Sequence, residues 1–309
     1  MSFAEKMRQG STVCFLGDSI TAAGEWESEI FSLFAEKFSQ KKIKFYNCGI
    51  GGDSAEGALK RVYGDCLVFS PEYVVMMFGM NDVGRLYYEN EEPENMRMRG
   101  VALEKYKMSM TELARIITAS GAKLILCTPT RYDDFDKTSN EKIIPVNEGL
   151  GKCAEFVREL AKKYRCTLVD FHKEMLEFTN FGKSIIGPDR VHPNMYGHHL
   201  MAQVFLKAVG AVERIDFGEY TEKNQTNIIR RRIESTYVRI KFCELVMSWN
   251  NYDKNEHTVN ERKEWIKTFK KDGWEWFEDT KNEYLKTADF RDKYMAELVK
   301  FTNYMYEEQ

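Results

Sequence analysis

Short apolar runs alternate with longer amphipathic stretches over roughly the first two thirds of the chain, and this alternation constrains the fold most. Strands separated by helices of this length predict βαβ units, a parallel sheet and helices on both faces. The runs are continuously apolar, as expected where both faces of a sheet are covered. The predicted strands are residues 12–16, 43–47, 73–78, 123–128 and 167–170, and the predicted helices are residues 25–40, 55–66, 103–120, 150–164 and 196–209.

Polar or glycine-rich motifs follow the ends of these strands. Gly17-Asp18-Ser19 follows the first strand, residues 49–53 the second, and residues 79–82 the third. Residues 189–193 lie between the fifth strand and the last helix. Because binding sites in open α/β sheets gather at the carboxyl ends of the strands, we expect these motifs to meet at one site.

Two serines at these strand ends could each serve as a nucleophile. Ser19 lies on a turn of small residues between a strand and a helix, where Asp18 and Ser19 could equally cap the helix. The same tripeptide recurs at residues 52–54, so the pattern alone does not choose between Ser19 and Ser54. Neither site has the GxSxG elbow, and residues 49–54 lack the third glycine of a dinucleotide fingerprint.

His192 is the candidate general base. Asp189 precedes it by three residues, so that within one turn its carboxylate can orient the ring and stabilise the imidazolium, and Pro193 stiffens the position. His198 and His199 are predicted to be surface or packing residues. A zinc site built from His192 and His198 lacks a third ligand at motif spacing, so we predict neither a metal nor a cofactor.

Three further residues near the strand ends carry predictions. The amide of Asn81 can donate to an oxyanion, although Asn is also common in turns. Gly52 has no side chain to block the approach of its backbone N–H to a substrate. Asp82 is predicted to hold its loop rather than to react.

These motifs, in this order, resemble those of the SGNH (GDSL) hydrolase superfamily over residues 11–210. The matching blocks are Gly17-Asp18-Ser19-Ile20, Asn47 with Gly52, Gly79-Met80-Asn81-Asp82 and Asp189 to Pro193. The resemblance implies a flavodoxin-like three-layer α/β/α sandwich with a five-stranded parallel sheet.

The resemblance also implies roles for single residues. It makes Ser19 the nucleophile, since Ser54 falls in a block that supplies an oxyanion donor. The implied donors are the backbone N–H groups of Ser19 and Gly52 and the side-chain amide of Asn81. His192 and Asp189 complete the implied catalytic triad.

The sequence changes character after residue 212, which predicts a hydrolase domain at 1–212 and a C-terminal α-helical module at 213–309. Four of the five tryptophans lie in this second part. Packing on the hydrolase domain is favoured for its helices, with a homo-oligomer interface as the alternative. Residues 85–99 and 131–147 are predicted to be polar connections that shape the substrate pocket, and the residues proposed to line it are Tyr87, Tyr88, Arg131 and Tyr132.

Composition excludes some function classes. A net charge of −3 and a pI near 6.1 give no attraction to nucleic acid. No apolar run reaches the ~18 residues of a membrane span, and no signal peptide precedes the first strand. The seven cysteines include no CxxC pair, which is typical of a cytoplasmic protein.

The predicted function is therefore that of a serine esterase acting on a small ester. The polar connections favour a short acyl group, above all acetyl, on a carbohydrate or other polar alcohol. The alternative is a lysophospholipase or longer-chain thioesterase with the C-terminal helices as a lid.

Overall fold

The computed structural model describes residues 6–41, 43–133, 145–179 and 185–214. Its strands are β1 (Thr12–Gly17), β2 (Lys44–Gly49), β3 (Tyr73–Met77), β4 (Lys123–Cys127) and β5 (Thr167–Val169). They form one five-stranded parallel sheet in the order β2-β1-β3-β4-β5. Gly17 is in register with Gly49 on one side and Met77 on the other, so three strands end at the same level.

Helices cover both faces of this sheet. The described α-helices are α1 (Ser19–Ala22), α2 (Glu25–Lys37), α3 (Ala55–Asp65), α4 (Pro93–Ala119), α5 (Val146–Tyr164), α6 (Phe171–Thr179) and α7 (Met195–Ala208). Alternate residues of β1 enter two separate cores. Val13 and Phe15 pack with residues of α2, α6 and α7, whereas Cys14 and Leu16 pack with residues of α3, α4 and α5. The predicted three-layer α/β/α sandwich is confirmed.

The prediction of a long connection over residues 85–99 is wrong. The chain makes a short 3₁₀ turn at Arg85–Tyr88, and α4 then begins at Pro93, ten residues before the predicted start at 103. Proline suits the first helical position because its missing N–H would have no partner there. The first turns of α4 are largely exposed, so they carry no apolar period that the sequence could reveal.

Two other segments differ from the predicted elements or lie outside the described residues. Helix α6 was not predicted, since its nine residues follow β5 with only Asp170 between them. The C-terminal helical module, its boundary at 212, the lid and the oligomer interface concern residues that lie almost wholly outside the described part of the chain, and they stay predictions. Of the helices described, none combines the length and the apolar character needed to cross a bilayer.

Candidate active site

Two glycines bring α1 directly onto the ends of β1 and β2. A Cβ atom on Gly17 would clash with the Thr21 side chain, and one on Gly49 would clash with the backbone at Ala22. Only residues without a side chain allow this approach. Ser19, the first residue of α1, is therefore held at the carboxyl edge of the sheet.

Ser19, His192 and Asp189 form a continuous chain of hydrogen bonds. The Ser19 Oγ lies 2.7 Å from His192 Nε2, and His192 Nδ1 lies 2.5 Å from Asp189 Oδ2. The other carboxylate oxygen, Asp189 Oδ1, accepts the backbone N–H groups of Val191 and His192, both at 3.0 Å. The structure thus brings together the three residues that the sequence singled out.

The backbone of residues 186–193 sets the geometry of the Asp189–His192 pair. Gly187 N donates to the His192 carbonyl at 2.7 Å, and Ile186 forms a β-bridge with Pro193. Arg190 adopts a left-handed conformation with φ of 64° at the tip of this turn. The closed loop holds the carboxylate against the imidazole.

Hydrogen bonding keeps Asp189 ionised. Partial burial acts to raise the pKa of this carboxyl, but the hydrogen bonds from the His192 ring and from two backbone N–H groups outweigh it and lower the pKa. The Asp189 and His192 side chains remain 50% and 44% exposed, so the pair lies at an open edge. A carboxylate that stays charged can stabilise an imidazolium next to it.

Burial raises the pKa of two other carboxyl groups near the strand ends. Asp18 accepts the Ile20 N–H at 3.0 Å as the N-cap of α1, and burial raises its pKa to about 7. Asp82 accepts the Ala55 N–H at 2.8 Å, and burial raises its pKa to about 6. The contact of Asp82 ties the loop after β3 to the start of α3.

The proposed oxyanion donors differ in how they are held. Gly52 has φ of 74°, and a Cβ there would meet nothing within 4 Å, so glycine is favoured by backbone conformation and the space beside it is open. Asn81 Nδ2 donates to the Asp53 carbonyl at 2.8 Å. A side-chain amide carries two N–H groups, so this bond orients Asn81 and leaves one more donor.

The second Gly-Asp-Ser copy has a different environment from the first. Ser54 is the N-cap of α3, and its hydroxyl accepts the Gly57 N–H at 3.2 Å. The contact with His192 is made by Ser19. The two copies thus differ in the partner of the hydroxyl.

Arg61 is a buried residue that the sequence analysis missed. Its guanidinium donates to the carbonyl of Gly17 at 3.1 Å, to the carbonyl of Cys48 at 2.8 Å and to Asp53 Oδ2 at 2.7 Å. It thereby joins the ends of β1 and β2 to the loop that carries Gly52. Next to Lys60 on an amphipathic helix, an arginine gives no sequence signal of burial.

Asn47 makes a second bridge below α1. Its Nδ2 donates to the Thr21 carbonyl at 2.7 Å and to Glu27 Oε1 at 2.6 Å, while its Oδ1 accepts the Gly49 N–H at 2.9 Å. This side chain links β2 to both α1 and α2. The position of Ser19 is therefore supported from below as well as from the strand ends.

The residues proposed to line the pocket are held mostly by internal contacts. Tyr88 is buried beneath the Arg99 guanidinium, 4.4 Å from the ring centre, and half-buried Tyr87 packs over Gly84. Arg131 is buried, with Nη1 3.4 Å from His172 Nε2. The backbone N–H of Tyr132 donates to Asn147 Oδ1 at 3.0 Å. Their contact with substrate stays a prediction.

The remaining histidines of α7 lie away from this hydrogen-bonded chain. His199 Nδ1 lies 2.8 Å from Glu29 Oε1, which joins α7 to α2, and His198 is buried. These environments agree with the packing role predicted for His198 and His199.

The model of the family described as GDSL-like lipase/acylhydrolase matches residues 13–205, more than half of the 309-residue chain. The chain belongs to this family. Membership in the GDSL family confirms the resemblance seen in the motifs, and with the esterase relatives described next it makes the chain an ester-bond hydrolase.

Two relatives of this GDSL hydrolase are acetylxylan esterases. The protein from Geobacillus stearothermophilus is 25% identical over 221 residues, which cover 66% of this chain and 96% of the relative. The protein from Xylanibacter ruminicola is 27% identical over 157 residues, which cover 47% of this chain but 30% of the relative.

Solved structures show the same fold. A gut microbial diltiazem-metabolizing enzyme superposes with a TM-score of 0.59 at 27% identity, over 66% of this chain and 48% of that enzyme. The chain thus spans about half the length of that enzyme. The solved acetylxylan esterase of G. stearothermophilus has a TM-score of 0.55 at 24% identity over 97% of its length, a likeness of fold.

Proposed function

We propose that this GDSL hydrolase is a serine esterase that removes an acetyl group from a carbohydrate or other polar alcohol. The proposal rests on one observation above all, the hydrogen-bonded chain from the Ser19 hydroxyl through His192 to Asp189. A serine activated by an adjacent imidazole, itself oriented by a carboxylate, is the arrangement that acyl transfer requires.

In the first step Ser19 Oγ attacks the ester carbonyl carbon. Neutral His192 accepts the hydroxyl proton on Nε2, and its Nδ1–H continues to donate to Asp189. The imidazolium that forms is stabilised by the adjacent carboxylate, whose lowered pKa keeps it charged. Asp189 itself takes up no proton.

The negative charge that develops on the carbonyl oxygen needs preorganised donors. We assign this part to the backbone N–H groups of Ser19 and Gly52 and to the second N–H of Asn81. Ser19 begins a helix whose first N–H groups have no partner within the helix, which favours negative charge beside it. The contacts of Asp53 with Asn81 and Arg61 hold the other two donors in place.

Collapse of the tetrahedral intermediate breaks the bond between the acyl carbon and the alcohol oxygen. The proton on His192 Nε2 passes to that oxygen, and the alcohol leaves. Water then attacks the acyl-Ser19 ester with His192 again as base, which releases the carboxylic acid and restores the serine hydroxyl.

The relatives support the choice of acyl group. Both are acetylxylan esterases, so we infer an acetyl ester of a carbohydrate as the substrate class. These relatives lend no support to the alternative of a lysophospholipase or long-chain thioesterase with a C-terminal lid.

An acyl-chain panel tests the proposal. Nitrophenyl acetate, octanoate and palmitate are compared by kcat/KM, and we expect acetate to be hydrolysed fastest. Palmitate as the preferred ester would refute the acetyl assignment while leaving the esterase assignment intact. Acetylated xylo-oligosaccharides and acetylated glucose then compare alcohols, with released acetate as the readout.

Two serine variants separate catalysis from folding. Ser19→Ala removes the proposed nucleophile and is expected to abolish turnover of every ester. Ser54→Ala removes the same side chain from the duplicate tripeptide and serves as the matched control. Full activity in folded Ser19→Ala would show that the nucleophile is another residue.

A further inference from the structure

Three buried cysteines converge beneath the ends of β1 and β2. Cys14 belongs to β1, Cys48 to β2 and Cys66 to the C-cap of α3, and each is fully buried. Their sulfur atoms all lie within 4.8 Å of one another. Cys14 Sγ also donates to the Cys66 carbonyl at 3.6 Å, and Cys48 Sγ to the Tyr46 carbonyl at 3.8 Å.

We propose that Cys14, Cys48 and Cys66 form a binding site for a trivalent thiophilic ion, As(III), which enters as neutral arsenous acid. The site is separate from the ester-hydrolysing residues, and it rests on the placement of three thiols and on the charge that a closed core can hold.

The spacing suits three bonds to a single centre. Bonds from thiolate sulfur to a comparable ion, zinc, are about 2.3 Å long, so three sulfurs around one centre lie no more than about 4.0 Å apart. The cysteine sulfurs lie within 4.8 Å of one another, so the three side chains must close by up to about 0.8 Å to share one centre. Three thiols from three separate elements can surround a centre without unfolding any of them.

Charge selects among thiophilic ions. Three thiolates carry three negative charges, and an uncompensated charge in the core is strongly unfavourable. A trivalent ion gives a neutral complex, whereas Zn²⁺ leaves one negative charge and Cu⁺ leaves two. Arg61 donates to the Cys48 carbonyl, but its guanidinium already pairs with Asp53 and Asp65.

The number of ligands also favours As(III) over zinc. Structural zinc is almost always bound by four ligands in a tetrahedron. Within the described part of the chain, the group of potential ligands at this point contains the three cysteines and no histidine or carboxylate. Three sulfurs complete the shell of As(III), which keeps a lone pair.

The exchange of three thiols with neutral arsenous acid balances without a redox partner. Each sulfur replaces one hydroxide on arsenic, and the three thiol protons leave with the three hydroxides as water. The oxidation state of arsenic does not change, and no other reactant is needed.

The test uses the full reduced chain with sodium arsenite under anaerobic conditions. Native mass spectrometry is expected to show one arsenic per chain with the loss of three hydrogens. X-ray absorption at the arsenic edge is expected to show three sulfur neighbours and no oxygen. An adduct that retains oxygen, or the absence of binding, would overturn the proposal.

Cysteine variants locate the site. Cys14→Ala, Cys48→Ala and Cys66→Ala are each expected to lose the adduct with three sulfurs. Cys127→Ala is the matched control, since Cys127 is equally buried but lies in β4, and Cys243→Ala tests the cysteine outside the described residues. Both controls should bind arsenite as the parent does, and equal loss in either would contradict the assignment.

Two further readouts keep the result unambiguous. Esterase activity and circular dichroism show whether each variant is folded, and if the three cluster variants fail to fold, the sulfur count in the parent chain decides. Cadmium chloride, the divalent comparator, should bind more weakly than arsenite. Tighter binding of cadmium would contradict the charge argument.

Discussion

Arg61 Nη2 lies 3.1 Å from the carbonyl oxygen of Gly17, two residues before Ser19. The same guanidinium reaches the carbonyl of Cys48 on the neighbouring strand and the carboxylate of Asp53. One buried side chain thus ties together the two strand ends from which the proposed nucleophile and a proposed oxyanion donor project.

Replacing Arg61 should destabilise the fold strongly. In Arg61→Met the carboxylates of Asp53 and Asp65, both nearly buried, lose their cation, which costs about 3–5 kcal/mol of unfolding free energy. Arg115→Met is the control, because Arg115 is 62% exposed and pairs with Glu112 on the surface, where water and salt screen the pair and leave it little effect on stability. Urea unfolding measures the free energy of unfolding of both variants, and equal losses in the two would contradict the bridging role of Arg61.

Ser54→Ala should change stability without changing catalysis. The variant loses the N-cap of α3, which costs about 1 kcal/mol. The expected result is a lower urea midpoint with kcat for nitrophenyl acetate unchanged. A large fall in kcat would mean that this serine takes part in the reaction.

Asn81→Ala should act on the transition state. Loss of one oxyanion donor lowers kcat by about 10²–10³, with little change in KM. Asn95→Ala removes an amide from the first turn of α4, where it bonds to Asn90, and is the control. If kcat of Asn81→Ala matched the parent, Asn81 would be a turn residue only.

Asp189→Asn should impair the base while the loop persists. The amide oxygen can still accept the N–H groups of Val191 and His192, but the amide nitrogen facing His192 Nδ1 favours the wrong tautomer. By analogy with serine proteases we expect kcat to fall by about 10⁴. Steady-state kinetics measure kcat of the variant, and a decrease of less than tenfold would contradict the role of Asp189 in orienting His192.

The buried carboxyl of Asp18 predicts a pH-dependent stability. Its pKa of about 7 lies above the usual 3.8, so between these values the native state binds more protons than the unfolded state. The contribution of Asp18 to the free energy of unfolding therefore falls as pH rises, by an amount on the order of 4 kcal/mol once pH exceeds 7. The variant Asp18→Asn has no carboxyl to titrate at this position. Its free energy of unfolding, relative to that of the parent, should therefore increase from pH 4 to pH 8. A difference that stays constant across this range would contradict the prediction.

The sequence predicted the sheet well because most strand residues are apolar and buried, and polar or glycine residues follow the strand ends. It also placed Ser19, Asn81, Asp189 and His192, since their motifs follow strand ends or precede the last helix. The choice between Ser19 and Ser54 needed the family resemblance, because both serines have the same local pattern and only the three-dimensional position of His192 separates them.

What the sequence missed depends on contacts between distant segments. Arg61 was missed, and Asn47 was named only as part of a family block, without a role. The burial of both polar side chains is favourable only because strand ends, helix ends and carboxylates surround them in the folded chain. The first half of α4 escaped notice for the opposite reason, since it contacts too little of the protein to need an apolar face. The local sequence pattern predicts neither the burial of a polar residue by distant segments nor an exposed helical turn without an apolar face.

The open position of the Asp189–His192 pair has a consequence for selectivity. In the proposed mechanism His192 Nε2 returns a proton to the departing alcohol, and the His192 side chain is 44% exposed. Under that proposal the departing group lies on a side of the site that the described residues leave open to solvent. We expect tolerance towards the length of the glycan that carries the ester, with discrimination concentrated on the group that stays attached to Ser19.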